Sequence, residues 1–391
     1  MNCAAPIPDV TQRFTLDGNE ALELRLALTC ERVVASVRKF LPAGKLQAIV
    51  LGGGYGRGQG GVLNTAAGDE PYNDLEFYVF LRGSTVLNDR RFRSRLVTLG
   101  EVLSPDAGLH VEFKITSPEK FRREPVSMFS YDLVAGHRVL FGAENILAGC
   151  QHHLAAEKIP LHEATRLLFN RCTGLLFAEA LLRKLALTPE DVDFLGRNVA
   201  KGQLALGDVV LTAFGQYHGH VQERRARLEN LGTTEMPPWL TDVCGHHAAG
   251  AEFKLHPYRK PPPGSNLRVK HAEVSALARQ VWLWLENRRL KTNFKSVRDY
   301  ALDAGNKCPE TATSKNWLLN LRTFGARAAW HPSAGRYPRE RLLCALPLLL
   351  WHADEVGGGE VGMRLRDQLN THETDWSGLL AVFTKLWQQY S

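Results

Sequence analysis

Two acids, Asp74 and Glu76, stand two residues apart in Asn73-Asp74-Leu75-Glu76-Phe77, and a third, Glu112, lies between Val111 and Phe113. Residues i and i+2 of a strand point to the same side. Asp74 and Glu76 would therefore converge, while Leu75 and Phe77 enter a core behind them. Close carboxylates repel each other, and a hard divalent cation such as Mg²⁺ relieves that repulsion. Upstream, the glycine-rich run LGGGYGRGQGG occupies 51–61. Its glycines let backbone N–H groups approach an anion, because no side chain intervenes. A glycine cradle, paired acids and a third acid suit in-line attack on an α-phosphate, with metal neutralising charge and pyrophosphate leaving. Each part alone has an ordinary reading, as a glycine turn or as solvated acids on a half-exposed strand.

The surrounding elements must bring these residues together. Residues 16–41 read as an amphipathic helix, and KLQAIVLGGG reads as an apolar strand ending in glycines. DLEFYVFL at 74–81, HVEFKIT at 110–116 and HRVLFG at 137–142 are strand candidates, with a helix over 89–103. If the strand at 110–116 pairs beside the strand at 74–81, Glu112 completes the acid cluster. Beyond Leu147 the pattern turns helical, over 161–187, 197–219 and 220–231. HPYRKPPPGSN at 256–266 reads as a linker, and 267–391 again as helices, with Pro347 expected to kink or end one of them. The expectation is an α+β protein with a small mixed sheet followed by mainly helical regions. Its divisions are 1–148 as the catalytic domain, 149–255 as a helical domain lining the cleft, 256–266 as the linker, and 267–391 as a C-terminal helical domain.

With 391 residues, 44% of them hydrophobic and 23% charged, the chain can bury sizeable cores. No apolar run approaches the roughly eighteen residues of a membrane span, and MNCAAPIPDV lacks the pattern of a signal peptide. Seven scattered cysteines with no CxxC pair suit reduced thiols, so a cytoplasmic protein is expected, with no membrane partner. The net charge of +7 is spread thinly. The groups Arg224/Arg225/Arg227, Arg288/Arg289/Lys291 and Arg336/Arg339/Arg341 read mostly as solvated helix faces rather than as a nucleic-acid track.

Gly53-Gly54-Tyr55-Gly56-Arg57-Gly58-Gln59, Asp74-x-Glu76 and Val111-Glu112 together resemble the polymerase-β-like nucleotidyltransferase superfamily, in its kanamycin-nucleotidyltransferase-like form. The resemblance covers about residues 45–145. It implies that Asp74, Glu76 and Glu112 hold Mg²⁺ (or Mn²⁺), with Glu112 also able to act as base. It implies that Gly53 and Gly54 meet the phosphates of a nucleoside triphosphate, ATP being the expected one. Arg57 would pair with a phosphate or anchor the loop, and Lys201 or Tyr217 would be supplied to the nucleotide by the following helices. The acceptor is left open among a small molecule, an RNA and a protein. Two departures stand out: Gly54 and Gln59 replace the usual serine and glutamate, and nineteen residues, 55–73, separate Gly54 from Asp74. That stretch reads as an extra loop over the site.

Other signals were weighed and set aside. Cys150-x-His152-His153 and Cys244-x-His246-His247 could supply zinc ligands, but neither matches a familiar module. The Trp residues at 282, 284, 317, 330 and 351 read as core rather than as base-stacking groups. No Gly-x-Ser-x-Gly occurs, no Gly-Lys-Ser/Thr follows the glycine loop, and no Rossmann acid is placed correctly. Two alternatives remain beside the enzyme: a nucleotide- or partner-binding protein without turnover, and a toxin-like nucleotidyltransferase acting on tRNA.

Overall fold

The computed structural model describes residues 13–232, 237–261, 264–326 and 334–390. The readings placed on residues 1–12, on Pro262 and Pro263 and on Trp330 lie outside the described residues. The chain divides into two compact units: 1–160 with 214–231 and 248–258, and 161–213 with 232–247 and 259–391. Residues 161–213 and 259–391, read from sequence as separate helical regions, fall in one unit. The last boundary, at Tyr258, lies inside the stretch expected to be a linker.

The first unit begins with helix α1 (Glu20–Phe40), capped by Asn19, whose side chain accepts from the Leu22 N–H. Glu20 and Glu23 lie in its first turn and Arg38 and Lys39 in its last, each sign matched to the helix dipole. There follow β1 (Leu46–Leu51), the single turn α2 (Gly53–Gly56), β2 (Gly61–Thr65), β3 (Gly68–Tyr72) and β4 (Asp74–Leu81). Next come α3 (Thr85–Ala107), β5 (His110–Thr116), α4 (Pro118–Arg123), α5 (Met128–Ala135) and β6 (Arg138–Gly142). Four strands form one sheet in the order β5-β4-β1-β6. β4 and β5 are parallel, a pairing that needs a crossover, and α3 supplies it. β1 runs antiparallel to both β4 and β6. The fold is thus α+β, a mixed sheet followed by a long helical series, as the sequence led one to expect.

Both faces of this sheet are covered, which explains why Leu75–Leu81 is almost continuously apolar. Ile49, Leu51, Leu75, Phe77 and Val79 pack with Leu22, Val33, Val37, Phe92 and Leu96 of α1 and α3. Ala48, Val50, Tyr78 and Phe80 pack on the other face with Phe121 and Leu133. Burial of a side chain such as Phe77 contributes about 1.5–3 kcal/mol. β4 alternates between core and polar positions only over Asp74–Phe77, whereas β5 (HVEFKIT) alternates throughout, and there the acids stand.

The stretch read as an extra loop is a β-hairpin. β2 and β3 pair from Gly61–Tyr72 to Thr65–Gly68. Beneath it the buried Tyr55 hydroxyl accepts from the Tyr72 N–H at 2.8 Å. Its proton faces the carbonyls of Gly61 (2.9 Å) and Tyr72 (3.0 Å). One phenol from the glycine loop therefore ties together both ends of the hairpin.

The second unit contains α6 (Leu161–Leu182) and α7 (Pro189–Ala213), whereas α8 (Val221–Glu229) belongs to the first. α9 (Leu240–Leu255) begins in the second unit and ends in the first. The second unit then continues with α10 (Leu267–Leu290), α11 (Val297–Leu302), α12 (Thr313–Phe324), α13 (Pro338–Trp351), α14 (Gly359–Leu369) and α15 (Trp376–Tyr390). α13 runs through Pro347 to Trp351 rather than ending there. Its residues from Leu342 to Leu350 are all buried, so packing holds the helix despite the missing N–H. The basic groups also depart from a purely solvated reading. Arg224 and Arg341 are buried, and Arg289 is buried with Glu286 at 2.6 Å, because hydrogen-bonding partners are available inside. Trp282 is core, edge-on to Tyr300 and Trp351. No helix among the described residues is long and apolar enough to cross a membrane.

Tyr55→Phe keeps the ring but strips the hairpin of its shared hydroxyl. The expected cost is about 1–3 kcal/mol in urea unfolding, since buried backbone groups lose their partner. Hydrogen exchange should quicken across Gly61–Tyr72 and stay slow in β4. Unchanged protection of the hairpin would show that it does not depend on this tie.

Candidate functional site

Asn73, in the left-handed region at φ 84°, turns the chain from β3 into β4, a conformation that Asn tolerates better than most residues. From there the pleat does what the spacing requires: Leu75 and Phe77 are fully buried, and Asp74 and Glu76 are half-buried on the opposite face. The parallel register sets Glu76 directly against Glu112, and Asp74 against His110. The expected pairing of the 110–116 strand beside the 74–81 strand is therefore present, and Glu76 and Glu112 are brought together by it.

What lies between these two acids was not read from the sequence. The Lys114 ammonium is 3.2 Å from Glu76 Oε2 and 3.3 Å from Glu112 Oε2. A signal was available, because Lys114 follows Glu112 at i+2 and must share its face of β5. Tyr78, two residues after Glu76, donates its hydroxyl to the same Oε2 at 2.6 Å. The Lys114 ammonium also lies 5.7 Å from the Tyr78 ring centre and 6.0 Å from that of Phe129.

The electrostatics follow from this packing. Burial alone would raise the Glu76 carboxyl, but the Lys114 ammonium and the Tyr78 hydroxyl hold it below the usual carboxylate range. Burial would lower Lys114, and the Glu76 and Glu112 charges more than reverse that. The Tyr78 phenol is pushed up, by burial first and by Glu76 second.

The glycine loop abuts the acids. Gly52 N–H donates to the Glu76 carbonyl at 2.9 Å, fixing the loop to β4. Gly53 has φ 63°, and a Cβ there would stand 3.2 Å from Glu76 Oε1. At Gly54 a Cβ would stand 2.9 Å from the Gln59 carbonyl, so a serine in that place would need the loop to shift. The N–H groups of Gly53, Gly54 and Tyr55 open the α2 turn, where a helix leaves its first donors without intrahelical partners.

The remaining loop residues point inward. The Arg57 guanidinium, almost fully buried, faces Asp132, with Nη1 at 3.8 Å from the carboxylate and 3.4 Å from the carbonyl. Tyr217 is buried too, and its hydroxyl donates toward Asp132 at 3.1 Å and accepts from Arg224 at 3.3 Å. Gln59 Oε1 accepts from the Val221 N–H at 3.2 Å. Arg57 and Tyr217 thus meet through Asp132, a residue the sequence reading passed over. Lys201 lies on α7 in the second unit. So does Asp208, whose carboxylate meets His247 at 3.2 Å. The two Cys-x-His-His segments are divided between the units, and His153 and His152 turn to the carbonyls of Phe121 and Glu124.

Glu76 and Glu112, with Asp74 on the same face of β4, offer carboxylate oxygens, the hard donors that Mg²⁺ and Mn²⁺ prefer. Among the described residues no group of three or more His, Cys, Asp or Glu is gathered tightly enough to hold an ion. Two acids, Glu76 and Glu112, are brought together, and the Lys114 ammonium stands between them.

Because Glu76 titrates below 4.5 and Lys114 above 10.5, their pairing stabilises the protein between those limits. That contribution is lost as pH falls through the folded Glu76 value, or rises through the folded Lys114 value. In Lys114→Met the two carboxylates face each other unneutralised, and the acid side reverses sign. Thermal denaturation without metal should show the variant less stable than wild type at neutral pH and gaining stability toward about pH 4.5. A variant that loses stability on acidification just as wild type does would contradict this account.

No family model, no curated protein and no solved structure matches the chain.

Proposed function

We infer that the first unit is a polymerase-β-like nucleotidyltransferase of the cytoplasm, which moves a nucleoside monophosphate from a triphosphate, ATP in the first instance, to an acceptor hydroxyl. The observation that carries this reading is the register that sets Glu76 against Glu112, beside a glycine turn in which a Cβ on Gly53 would stand against Glu76 Oε1. The six described cysteines are free thiols, which supports that compartment.

In this reading Asp74, Glu76 and Glu112 hold the metal, and the N–H groups of Gly53 and Gly54 take the β- and γ-phosphates. When bound, Mg²⁺ or Mn²⁺ would neutralise phosphate charge in the transition state. The acceptor oxygen forms a bond to the α-phosphorus as the bond to the bridging oxygen breaks. Pyrophosphate leaves, and Glu112 takes the hydroxyl proton. Arg57, Tyr217 and Gln59 serve the loop's position through Asp132 and Val221. Lys201 would serve the nucleotide only by contributions from outside this unit. The acceptor is a small molecule, an RNA such as tRNA, or a protein.

A second reading has its own observation. Lys114 already pairs with both Glu76 and Glu112, as it would in a fold that binds a nucleotide or partner without turnover.

The two are separated by incubating the protein with each labelled nucleoside triphosphate, Mg²⁺ or Mn²⁺, and a cell extract as acceptor source. Pyrophosphate release and label transfer are expected from wild type. A drop of at least about a hundredfold is expected from the Asp74→Asn/Glu76→Gln variant, the scale of losing a main electrostatic group. Triphosphate binding that is equal in both proteins, with no transfer from either, would leave the binding reading in place.

A further inference from the structure

The cation between Glu76 and Glu112 belongs to the chain itself, and its placement is built in at three levels. The parallel register fixes the two carboxylates opposite each other. The i+2 spacing on β5 fixes Lys114 on the face of Glu112. The Tyr78 hydroxyl then holds Glu76 Oε2, the oxygen that meets Lys114, while Oε1 is the oxygen beside Gly53. Glu76 therefore presents one oxygen to the lysine and the other to the phosphate cradle.

We propose that Lys114 is a resident counter-cation that excludes free divalent metal from the Glu76–Glu112 pair, so that the site takes metal only together with a triphosphate. This rests on the nucleotidyltransferase reading above and adds to it the order in which the site fills. A free metal ion must displace an ammonium that is tethered in place and already bonded to both acids. The two carboxylates carry two negative charges and the ammonium returns one, so the net charge left to attract a free ion is halved. A triphosphate changes that balance, because its own negative charge adds to the site and attracts the ammonium away from the acids. Lys114 has the means to move: its side chain is 39% exposed, and a lysine stem is flexible. The carboxylates it leaves are then open to the metal that arrives with the phosphates.

The test is direct Mn²⁺ binding, read without nucleotide as free Mn²⁺ by electron paramagnetic resonance, and with a non-hydrolysable ATP analogue as protein-bound Mn²⁺ by equilibrium dialysis against the Mn²⁺–analogue complex. Wild type, Lys114→Met, Lys114→Gln, Lys114→Arg and Glu76→Gln are compared, each first shown to be folded by circular dichroism. Without nucleotide, wild type and Lys114→Arg should bind weakly, and Lys114→Met and Lys114→Gln at least about tenfold more tightly, or ~1.4 kcal/mol. With the analogue present that gap should close. If wild type and both neutral variants bind Mn²⁺ equally well without nucleotide, and Glu76→Gln abolishes it, the metal site stands and the exclusion by Lys114 is wrong. If no protein binds Mn²⁺ even with the analogue, the nucleotidyltransferase reading falls and this inference falls with it. The pair of neutral variants keeps the comparison alive should one of them fail to fold.

Discussion

Carboxylates set directly opposite each other on adjacent strands repel, and β4 and β5 cannot escape by sliding. A slip of β5 by one residue would turn Val111 away from Leu75 and Phe77 and bring Glu112 into that core. The apolar side of the strands thus dictates where Glu76 and Glu112 stand, and the repulsion must be met where it arises. Lys114 meets it from the same strand. The acid end of this sheet is therefore held by packing on one face and by charge on the other, and the Gly53 turn is fastened to that end through the Glu76 carbonyl.

The glycine loop is mobile by composition and restrained by its neighbours. Tyr55 reaches down from it to close the hairpin, Arg57 turns to Asp132, and Gln59 receives the Val221 N–H. The hairpin tie is to the adjoining segment, but those to Asp132 and Val221 reach far along the chain, so the loop's shape depends on much of the first unit. In the function proposed above, such anchoring would serve a phosphate cradle, because donors that are already positioned cost no reorganisation when charge develops. It also gives the departures at Gly54 and Gln59 a physical sense. Gly54 sits against the Gln59 carbonyl, where a side chain has no room without movement, and Gln59 has a backbone partner of its own.

The strands were legible because their signals are local. Period-two alternation at Asp74–Phe77, apolar runs and terminal glycines located β4 and β5 to the residue, and the i+2 rule put Asp74 and Glu76 on one face. Helix starts were read less sharply, since the amphipathic pattern of 16–41 extends past the true cap at Asn19. The hairpin at 61–72 was missed as structure. Its strands carry Asn64, Asp69 and Glu70, polar residues that resemble a loop, and the Tyr55 hydroxyl that ties its two ends lies outside the hairpin itself. At Pro347 the helix does not end, because burial along α13 outweighs the loss of one backbone N–H.

By itself, then, the sequence determined which acids and glycines exist, their spacing along strands, and an α+β order of elements, because these depend on neighbours a few residues apart. Only the tertiary structure decided that Glu76 faces Glu112, that Lys114 lies between them, and that Arg57 and Tyr217 converge on Asp132. Each of those pairings joins residues on different elements. Whether such groups meet is set by strand register and by the packing of apolar faces, which no single stretch of chain encodes.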